Sequence, residues 1–344
     1  VRRRCAIGTR ARRRDQRGGL AALALCAIRL RAVRLERSDA TGRGSLEARA
    51  PQDPALGATF AVCTDARRIS AELKGPQRVR WLLLSDLHAN LEALEAVLRD
   101  AEARWGSLRV ACAGDVVGFG PSPNECIALL RERDALCVAG NHDLMVLERI
   151  APRCTPDGLR AVEWTRARLD RSSREWLATL PTAREVSGSF VLCHGALEDP
   201  DHYIVDDADA QAQLSRLEAC YPGIGLMVCG HTHRAVWAPA GRVRRANAGA
   251  CFSMAPSVPA LVNPGSVGQS RTLERSARYA VLDTAAGTVE YCAVAYDHAA
   301  CARKIRAAGL ETKLYVTLGA LLRRRIRRGV GRTAEWLSLR PQSP

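Results

Sequence analysis

Three apolar segments alternate with two segments of helical periodicity from residue 78 onward, and this alternation limits the available folds most strongly. The apolar segments are RVRWLLLSD, SLRVACAGD and ALCVAGNHD, and the segments between them are NLEALEAVLRDAEARW and SPNECIALLRER. Nearly continuous apolar strands indicate a sheet that is covered on both faces. Strands that alternate with helices indicate βαβ units. The sequence therefore predicts a β-α-β-α-β unit at the start of an α/β domain.

The chain after residue 142 first adds helices and then becomes rich in strands. We expect helices within 143–180, with the last one ending before Pro181, and a hairpin that turns at Ser187 and Gly188. DADAQAQLSRLEAC predicts one more helix, and the remaining predicted strands cover 226–229, 234–237, 242–246, 260–263, 278–283 and 288–296. We predict an ordered loop over 247–259. This order favours two sheets packed together with helices outside.

Aspartate, asparagine or histidine follows five of the predicted strands. The segments LLLSDLH, VACAGD, CVAGNHD, FVLCHG and MVCGHTH supply Asp86, His88, Asp115, Asn141, His142, His194, His231 and His233. Because sites in open α/β sheets form beyond the carboxyl ends of the strands, we expect these side chains to converge. Residues two apart at a strand end point to the same side, so Asp86 and His88 should face one spot, as should His231 and His233.

This set of side chains suits divalent cations. Carboxylate, imidazole and amide ligands without thiolate favour ions such as Mn²⁺, Fe²⁺, Zn²⁺ or Mg²⁺. A glycine precedes Asp115, Asn141 and His231, which lets backbones approach where a side chain would clash. Two such ions would leave an excess of about two positive charges over Asp86 and Asp115. That excess favours binding of an anionic phosphate and activation of water, since coordination lowers the pKa of water to about 7.

The ordered motifs DLH, GD, GNHD, HG and GHTH, with LVNPGSVGQSR, resemble the calcineurin-like metallophosphoesterase superfamily, and most of all its compact bacterial branch. The resemblance covers about residues 78–298. It implies a four-layer α/β sandwich of two mixed β-sheets flanked by helices, and hydrolysis of phosphate mono- or diesters with two divalent metal ions. We expect manganese, with iron, zinc, nickel or magnesium as alternatives, and small phosphate esters or nucleotides as substrates.

The resemblance also implies residue roles. Seven residues would be metal ligands: Asp86, His88 and His233 for one ion, Asn141, His194 and His231 for the other, and Asp115 between the two. A hydroxide between the ions would attack phosphorus in line, and His142 would protonate the leaving oxygen or stabilise its charge. We also assign Asn141 and Arg271 to substrate binding. A supporting role for His142 and a solvated Arg271 are the alternatives.

Two positions depart from the family pattern. Protein serine/threonine phosphatases of the superfamily carry an aspartate three residues after the bridging one, and Gly118 stands there in this chain, which argues against a protein substrate. Compact relatives tend to read Ser-Pro-Arg after the HG step, whereas this chain reads Ala196, Leu197 and Glu198, which weakens the case for a phosphate contact there. The alternative function is a catalytically silent scaffold that binds a protein partner. Such a scaffold is expected to lose ligands, and this chain keeps all of them.

Charge is concentrated at the two ends of the 344-residue chain. The net charge is +15, with +12 in residues 1–80 and +9 in residues 299–344, so the middle is mildly acidic. We interpret residues 1–77 as an Arg-rich disordered extension, 78–298 as the metallophosphoesterase domain, and 299–344 as a basic C-terminal helix and tail. Contact of the basic ends with a membrane or nucleic acid is the alternative reading.

Two further observations concern membranes and nucleic acid. The apolar piece Gly18–Ile28 has about half of the roughly 20 residues that a spanning helix needs, so no transmembrane segment is expected. No aromatic residues interleave with the arginines of LLRRRIRR, residues 321–328, so nucleic acid is not an expected partner.

The thirteen cysteines show no short-loop disulfide pattern. Four lie within apolar strand-like runs, where a free cysteine acts as a small buried hydrophobe: Cys112, Cys137, Cys193 and Cys229. A reducing, cytoplasmic location fits this usage best.

Overall fold

The computed structural model describes residues 79–315, in which two six-stranded sheets pack between helices. Their twelve strands are β1 (Arg80–Leu84), β2 (Arg109–Cys112), β3 (Leu136–Cys137), β4 (Ala183–Val186), β5 (Phe190–Cys193), β6 (Leu226–Val228), β7 (Ala235–Pro239), β8 (Arg244–Arg245), β9 (Cys251–Ser253), β10 (Ala260–Pro264), β11 (Ser276–Asp283) and β12 (Thr288–Ala295). The helices of the same residues are α1 (Leu91–Trp105), α2 (Pro123–Glu132), α3 (Asn141–Val146), α4 (Pro156–Arg168), α5 (Arg171–Ala178), α6 (Asp207–Cys220) and α7 (His298–Ala307).

Both sheets are mixed. The first has the strand order β3-β2-β1-β11-β12-β9, in which β1, β2 and β3 run parallel and β11 pairs antiparallel with β1. The second has the order β4-β5-β6-β10-β7-β8, in which β5, β6 and β10 run parallel. The parallel strands therefore occupy neighbouring positions in each sheet, and their carboxyl ends bring the loops that follow them close together.

Strand β1 shows how the layers form. Leu82 and Leu84 point into a core formed with α1 and α2, whereas Trp81 and Leu83 point into the core between the two sheets. The ring of Trp81 meets that of Phe190, from the second sheet, edge to face at 5.5 Å. A third core covers the outer face of the second sheet with α6. The order helices, sheet, sheet, helix confirms the predicted four-layer sandwich.

Local signals explain where the helices begin and end. The Asn90 side chain accepts a hydrogen bond from the Ala93 amide and caps α1. Pro123 occupies the first turn of α2, and α5 ends before Pro181, as predicted. The Lys304 ammonium lies 2.6 Å from a Glu92 carboxylate oxygen and joins α7 to α1. The predicted hairpin also forms, between β4 and β5.

The prediction of the third strand was wrong beyond its first residues. Strand β3 ends at Cys137, and Asn141 begins helix α3 instead of extending the strand. The Asp143 carboxylate explains the change, because it accepts hydrogen bonds from the Gly140 amide at 2.9 Å and from the Val117 amide at 3.0 Å. The first contact caps the helix, and the second fixes α3 against the loop after β2.

The predicted loop over 247–259 was also wrong in part. Residues 251–253 form β9, which pairs with β12 at the edge of the first sheet. This strand has only three residues and its side chains are largely exposed, so it shows no apolar alternation. Its position is set by pairing with β12, which the local sequence does not encode.

Some predictions fall outside the described residues. They are the disordered extension over 1–77 and the basic tail that includes residues 321–328. Within 79–315, no helix is both long enough and apolar enough to cross a bilayer. The four predicted buried cysteines are buried, and all ten cysteines of these residues are free.

Candidate metal centre

The loops that follow β1, β2, β3, β5 and β6 meet at one place. They bring together all seven residues that the sequence marks as candidate ligands: Asp86, His88, Asp115, Asn141, His194, His231 and His233. Each of these residues is 3% exposed or less. Polar side chains are seldom buried to this extent unless they are paired or bind a metal ion.

The cluster divides into two groups that share one residue. In the first group, the candidate donor atoms of Asp86, His88, Asp115 and His233 lie within 4.8 Å of one another. In the second group, those of Asp115, His194 and His231 do so, and Asn141 Oδ1 lies 3.2 Å from His194 Nε2. Asp115 belongs to both groups, so its carboxylate could contact two cations.

Short distances connect the members of each group. His233 Nε2 lies 3.2 Å from His88 Nε2 and 3.3 Å from Asp86 Oδ1. Asp115 Oδ2 lies 3.3 Å from His194 Nε2 and 3.6 Å from His88 Nε2. This one carboxylate oxygen therefore reaches imidazoles of both groups.

Backbone carbonyls select the nitrogen that three of the four candidate histidine ligands present. The Nδ1–H groups of His194 and His233 donate to the carbonyls of Ala113 and Gln269, both at 2.6 Å. His231 instead donates from Nε2 to the Asp201 carbonyl at 3.0 Å. A neutral imidazole has one donor and one acceptor nitrogen, so in each case the other nitrogen keeps a lone pair for the centre.

Burial shifts the pKa values of the centre. It lowers the pKa of His88 and that of His231 to about 3, so these rings are neutral at pH 7. Burial also raises the pKa of the Asp86 carboxyl to about 7. Burial disfavours the charged form of His194 too, but the Asp115 carboxylate beside it raises the pKa of His194 to about 9. The Nε2 of this ring therefore offers its lone pair only when a bound cation displaces the second proton.

One unsatisfied atom shows that the centre fits a cation. Asp86 Oδ1 is buried, and nothing among residues 79–315 donates a hydrogen bond to it. A buried carboxylate oxygen without a partner costs free energy, and a divalent ion bound beside His88 and His233 would remove this cost. The donor set of oxygen and imidazole nitrogen suits such an ion.

The backbone brings the ligands together in a way that strand alternation did not predict. Five of the seven residues have left-handed backbone: Asp86 (φ 53°), His88 (φ 47°), Asp115 (φ 53°), His231 (φ 64°) and His233 (φ 56°). Asp86 and His88 meet in the first group as expected, whereas His231 and His233 fall in different groups. All five residues lie beyond the ends of their strands, so projection along a strand does not explain their placement. This backbone costs about 1–2 kcal/mol for a residue other than glycine, and such strain clusters at functional sites.

Three glycines allow the loops to approach each other, as predicted. A Cβ at Gly114 would lie 2.6 Å from the Gly140 amide nitrogen, one at Gly140 would overlap the Asp115 amide nitrogen, and one at Gly230 would overlap the Ser85 hydroxyl. Any side chain at these positions would therefore separate the loops that carry the ligands.

Comparison with known proteins assigns the family. Residues 79–287 match the domain model of the calcineurin-like phosphoesterase superfamily. The chain belongs to this superfamily. It is therefore an enzyme of the metal-dependent phosphoesterase class, as its sequence motifs predicted.

Relatives and solved structures agree with this assignment. An uncharacterized protein of Methanocaldococcus jannaschii is 31% identical over 221 residues, which are 62% of this chain and 87% of the relative. A metallophosphoesterase from Sphaerobacter thermophilus has a similar structure, with 31% identity and a TM-score of 0.60 over 69% of this chain and 96% of that one. A hypothetical protein from Pyrococcus horikoshii OT3, at 16% identity and a TM-score of 0.55 over the same shares, has the same fold.

A cavity of about 660 Å³ opens above the metal centre of this phosphoesterase. Its floor includes Asp115, Asn141, His142 and His231, and its walls include Phe119, Arg153, Tyr203, Arg271, Lys313 and Tyr315. The floor thus joins candidate ligands to the predicted catalytic histidine, and the walls combine cationic and aromatic side chains.

His142 lies in this floor. Its ring centroid is 4.5 Å from that of Phe119 and 5.0 Å from that of His88. Its Nδ1 has no hydrogen-bond partner among the described residues. Burial lowers its pKa. A Cβ at Gly118 would lie 2.8 Å from this Nδ1, so the phosphoesterase has no room for a side chain at the place where protein phosphatases carry aspartate.

Arg271 lies at the cavity wall, as the substrate-binding prediction requires. Its Nη1 donates to the Tyr203 hydroxyl at 3.2 Å, and its guanidinium lies 5.6 Å from the centroid of that ring. The Tyr203 ring packs on His231 with centroids 3.9 Å apart. Tyr203 therefore connects the predicted substrate contact to a candidate ligand.

The sequence analysis missed Tyr203, Asp201, Arg153 and Lys313. The first two lie in the loop between β5 and α6, which has no motif whose spacing would mark them. Arg153 and Lys313 enter the cavity from segments before α4 and after α7. No local pattern in the sequence separates these residues from ordinary exposed loop residues.

Proposed function

We propose that this phosphoesterase hydrolyses small phosphate esters or nucleotides with two divalent cations. The observation that supports the proposal most directly is the position of Asp115, which belongs to both groups of donor atoms. Only two carboxylates, Asp86 and Asp115, stand among these donors, so the centre stays positive when two divalent cations bind and attracts an anionic ester.

The proposal gives each group of side chains a task. Asp86, His88 and His233 would hold one cation, Asn141, His194 and His231 the other, and Asp115 both. Two divalent cations supply, when bound, a water of lowered pKa and positive charge that stabilises the phosphoryl transition state. We propose manganese as the ion to test first, since the mixed nitrogen and oxygen ligands suit it.

Other residues of the floor and wall would act on the substrate directly. His142 would donate a proton or a hydrogen bond to the leaving oxygen, because it lines the cavity beside the candidate ligands Asp115 and Asn141. The Arg271 guanidinium and the Asn141 amide would contact phosphoryl oxygens, with Arg271 able to bind two of them at once.

The cavity supports the substrate class. Its volume of about 660 Å³ exceeds the needs of a phosphoryl group alone and lies within the range of pockets that bind small organic ligands. Arg153, Arg271 and Lys313 add positive charge to its walls, and Phe119, Tyr203 and Tyr315 add aromatic surface that suits a nucleobase. Gly118 stands where protein serine/threonine phosphatases carry aspartate, which favours a small ester over a protein substrate.

A hydrolysis assay tests the proposal. Purified protein with Mn²⁺ should cleave bis-p-nitrophenyl phosphate or p-nitrophenyl phosphate, and chelation should abolish the turnover. Asp115→Asn is the matched control, because it keeps the shape of the side chain and removes its charge. Bound metal without turnover of either ester would contradict the proposal and favour the scaffold function.

We also propose a cytoplasmic location. It is supported by the ten free cysteines of residues 79–315, seven of which are buried. Buried thiols of this kind are typical of proteins kept in a reducing compartment.

A further inference from the structure

We propose that Asp201 is a positioning residue that fixes the donor atoms of two ligands, Asn141 and His231, in the second half of the metal centre. This inference rests on the proposed two-cation function. It concerns a residue outside the family motifs, in the loop between β5 and α6.

The first contact fixes the orientation of the Asn141 amide. Asn141 Nδ2 donates to Asp201 Oδ1 at 2.9 Å, and this places Asn141 Oδ1 on the opposite side, 3.2 Å from His194 Nε2. Only the oxygen of an amide can bind a cation, because its nitrogen carries hydrogens. An ionised carboxylate accepts but does not donate, so Asp201 favours the one orientation of the amide that serves as a ligand.

The second contact fixes the His231 ring. His231 Nε2 donates to the backbone carbonyl of Asp201 at 3.0 Å, which leaves the lone pair of the ring on Nδ1. The Asp201 carboxylate is 4.0 Å from the same Nε2. Carboxylate and carbonyl of one residue thus orient two ligands that come from different loops.

The loop holds Asp201 firmly in this position. Asp199 Oδ1 accepts from the Asp201 amide at 2.9 Å, and the Asp199 carbonyl accepts from the Ala196 amide at 3.0 Å. The loop also folds tightly over Gly195, where a Cβ would lie 2.6 Å from the His202 carbonyl oxygen. Asp201 is therefore fixed relative to His194, the residue before Gly195, which belongs to the same half of the centre.

A simple surface ion pair does not account for the placement of Asp201. It forms a long ion pair with Arg153, whose Nη1 lies 4.0 Å from Asp201 Oδ2. The Arg153 side chain is 76% exposed, whereas that of Asp201 is 18% exposed. Exposed pairs at this distance contribute little, so the short contact with Asn141 is the main interaction of the carboxylate.

Manganese titration of the full chain tests the proposal. Calorimetry gives the affinity of each Mn²⁺, and low-temperature electron paramagnetic resonance distinguishes a magnetically coupled pair from a single ion. Wild-type protein should bind two ions as a coupled pair. Asp201→Ala should bind the first ion with unchanged affinity and the second about 10- to 100-fold more weakly, with loss of the coupled spectrum at limiting Mn²⁺.

Two further variants make the test specific. Asp201→Asn should restore most of the affinity for the second Mn²⁺, because the amide oxygen of the new side chain can still accept a hydrogen bond from Asn141. Glu198→Ala is the matched control, since Glu198 is a carboxylate of the same loop whose partner is Arg216 at the surface. It should leave both affinities unchanged. The unfolding temperature of each metal-free variant shows whether the fold is retained.

Several outcomes would overturn the proposal. They are an unchanged second affinity in Asp201→Ala, an equal loss in Glu198→Ala, and a failure of Asp201→Asn to improve on Asp201→Ala. Failure of the proposed function gives a different result, because wild-type protein itself would then bind no pair of ions.

Discussion

The Nε2 atoms of His88 and His233 lie 3.2 Å apart, although 145 positions separate the two residues in the chain. His233 donates from Nδ1 to the Gln269 carbonyl, so its Nε2 carries a lone pair, and Asp86 Oδ1 lies 3.3 Å from it. Two buried imidazoles and a carboxylate oxygen without a hydrogen-bond partner are directed at one point. This is the arrangement of a metal site rather than of a hydrogen-bonded core.

Removing one of these imidazoles should empty the first half of the centre. His233→Ala should lower bound manganese from two ions to about one per chain, with a loss of affinity above the roughly 100-fold typical of outer contacts. Metal analysis after dialysis measures the stoichiometry. His202→Ala is the control, because His202 is exposed and contacts Asp209 instead of the centre. Two ions retained in His233→Ala would refute the assignment.

His142→Ala should slow the reaction without removing metal. Loss of a positioned acid typically costs about 10²- to 10⁴-fold in rate. The loss in kcat should be larger for an alkyl phosphate than for p-nitrophenyl phosphate, because only the alkoxide requires a proton to leave. Steady-state kinetics on both esters decides the matter. Equal losses on both would exclude proton donation and leave charge stabilisation as the role.

Gly118→Ala should displace His142. The added Cβ would lie 2.8 Å from His142 Nδ1, so we expect kcat to fall toward that of His142→Ala while two metal ions stay bound. Gly106→Ala is the matched control, because Gly106 also has positive φ, and nothing lies within 4 Å of its added Cβ. In both variants the positive φ costs about 1–2 kcal/mol of stability, because alanine disfavours left-handed backbone. Similar kinetics in the two variants would show that strain, not contact, causes the loss.

Much of the fold and the candidate ligands could be predicted from the sequence because the signals are local. Apolar runs such as WLLL mark buried strands, and the polar residues that follow them lie at the carboxyl edge whatever their detailed conformation. The glycines before Asp115 and His231 are also local signals, and they indicated that neighbouring loops pack closely at these positions. These inferences required only strand positions and chain order.

The rest depends on contacts between distant segments. The left-handed backbone of Asp86 and His231 is imposed by neighbouring loops, and strand periodicity gives no sign of it. Helix α3 replaces the end of the third predicted strand because Asp143 binds amides of the loop after β2. The positioning role of Asp201 follows only from the structure, in which its carboxylate lies 2.9 Å from Asn141 Nδ2.

Arg271→Gln should weaken substrate binding more than it slows turnover. A hydrogen bond to a charged group contributes about 1.5–3 kcal/mol, so KM for an anionic ester should rise by about 10- to 100-fold. Arg275→Gln is the control, because this arginine belongs to the same loop and packs on Tyr315 but does not itself line the cavity. Steady-state kinetics at low and high salt give KM and kcat for each variant. An equal KM in the two variants would make Arg271 an ordinary surface arginine.

Anomalous scattering from crystals grown with Mn²⁺ tests the central claim most directly. We predict two manganese peaks about 3.5–4 Å apart, the usual spacing of two-metal sites, with the Asp115 carboxylate contacting both. Asp86, His88 and His233 should surround one peak, and Asn141, His194 and His231 the other. A single peak, or none, among these side chains would contradict the two-cation account.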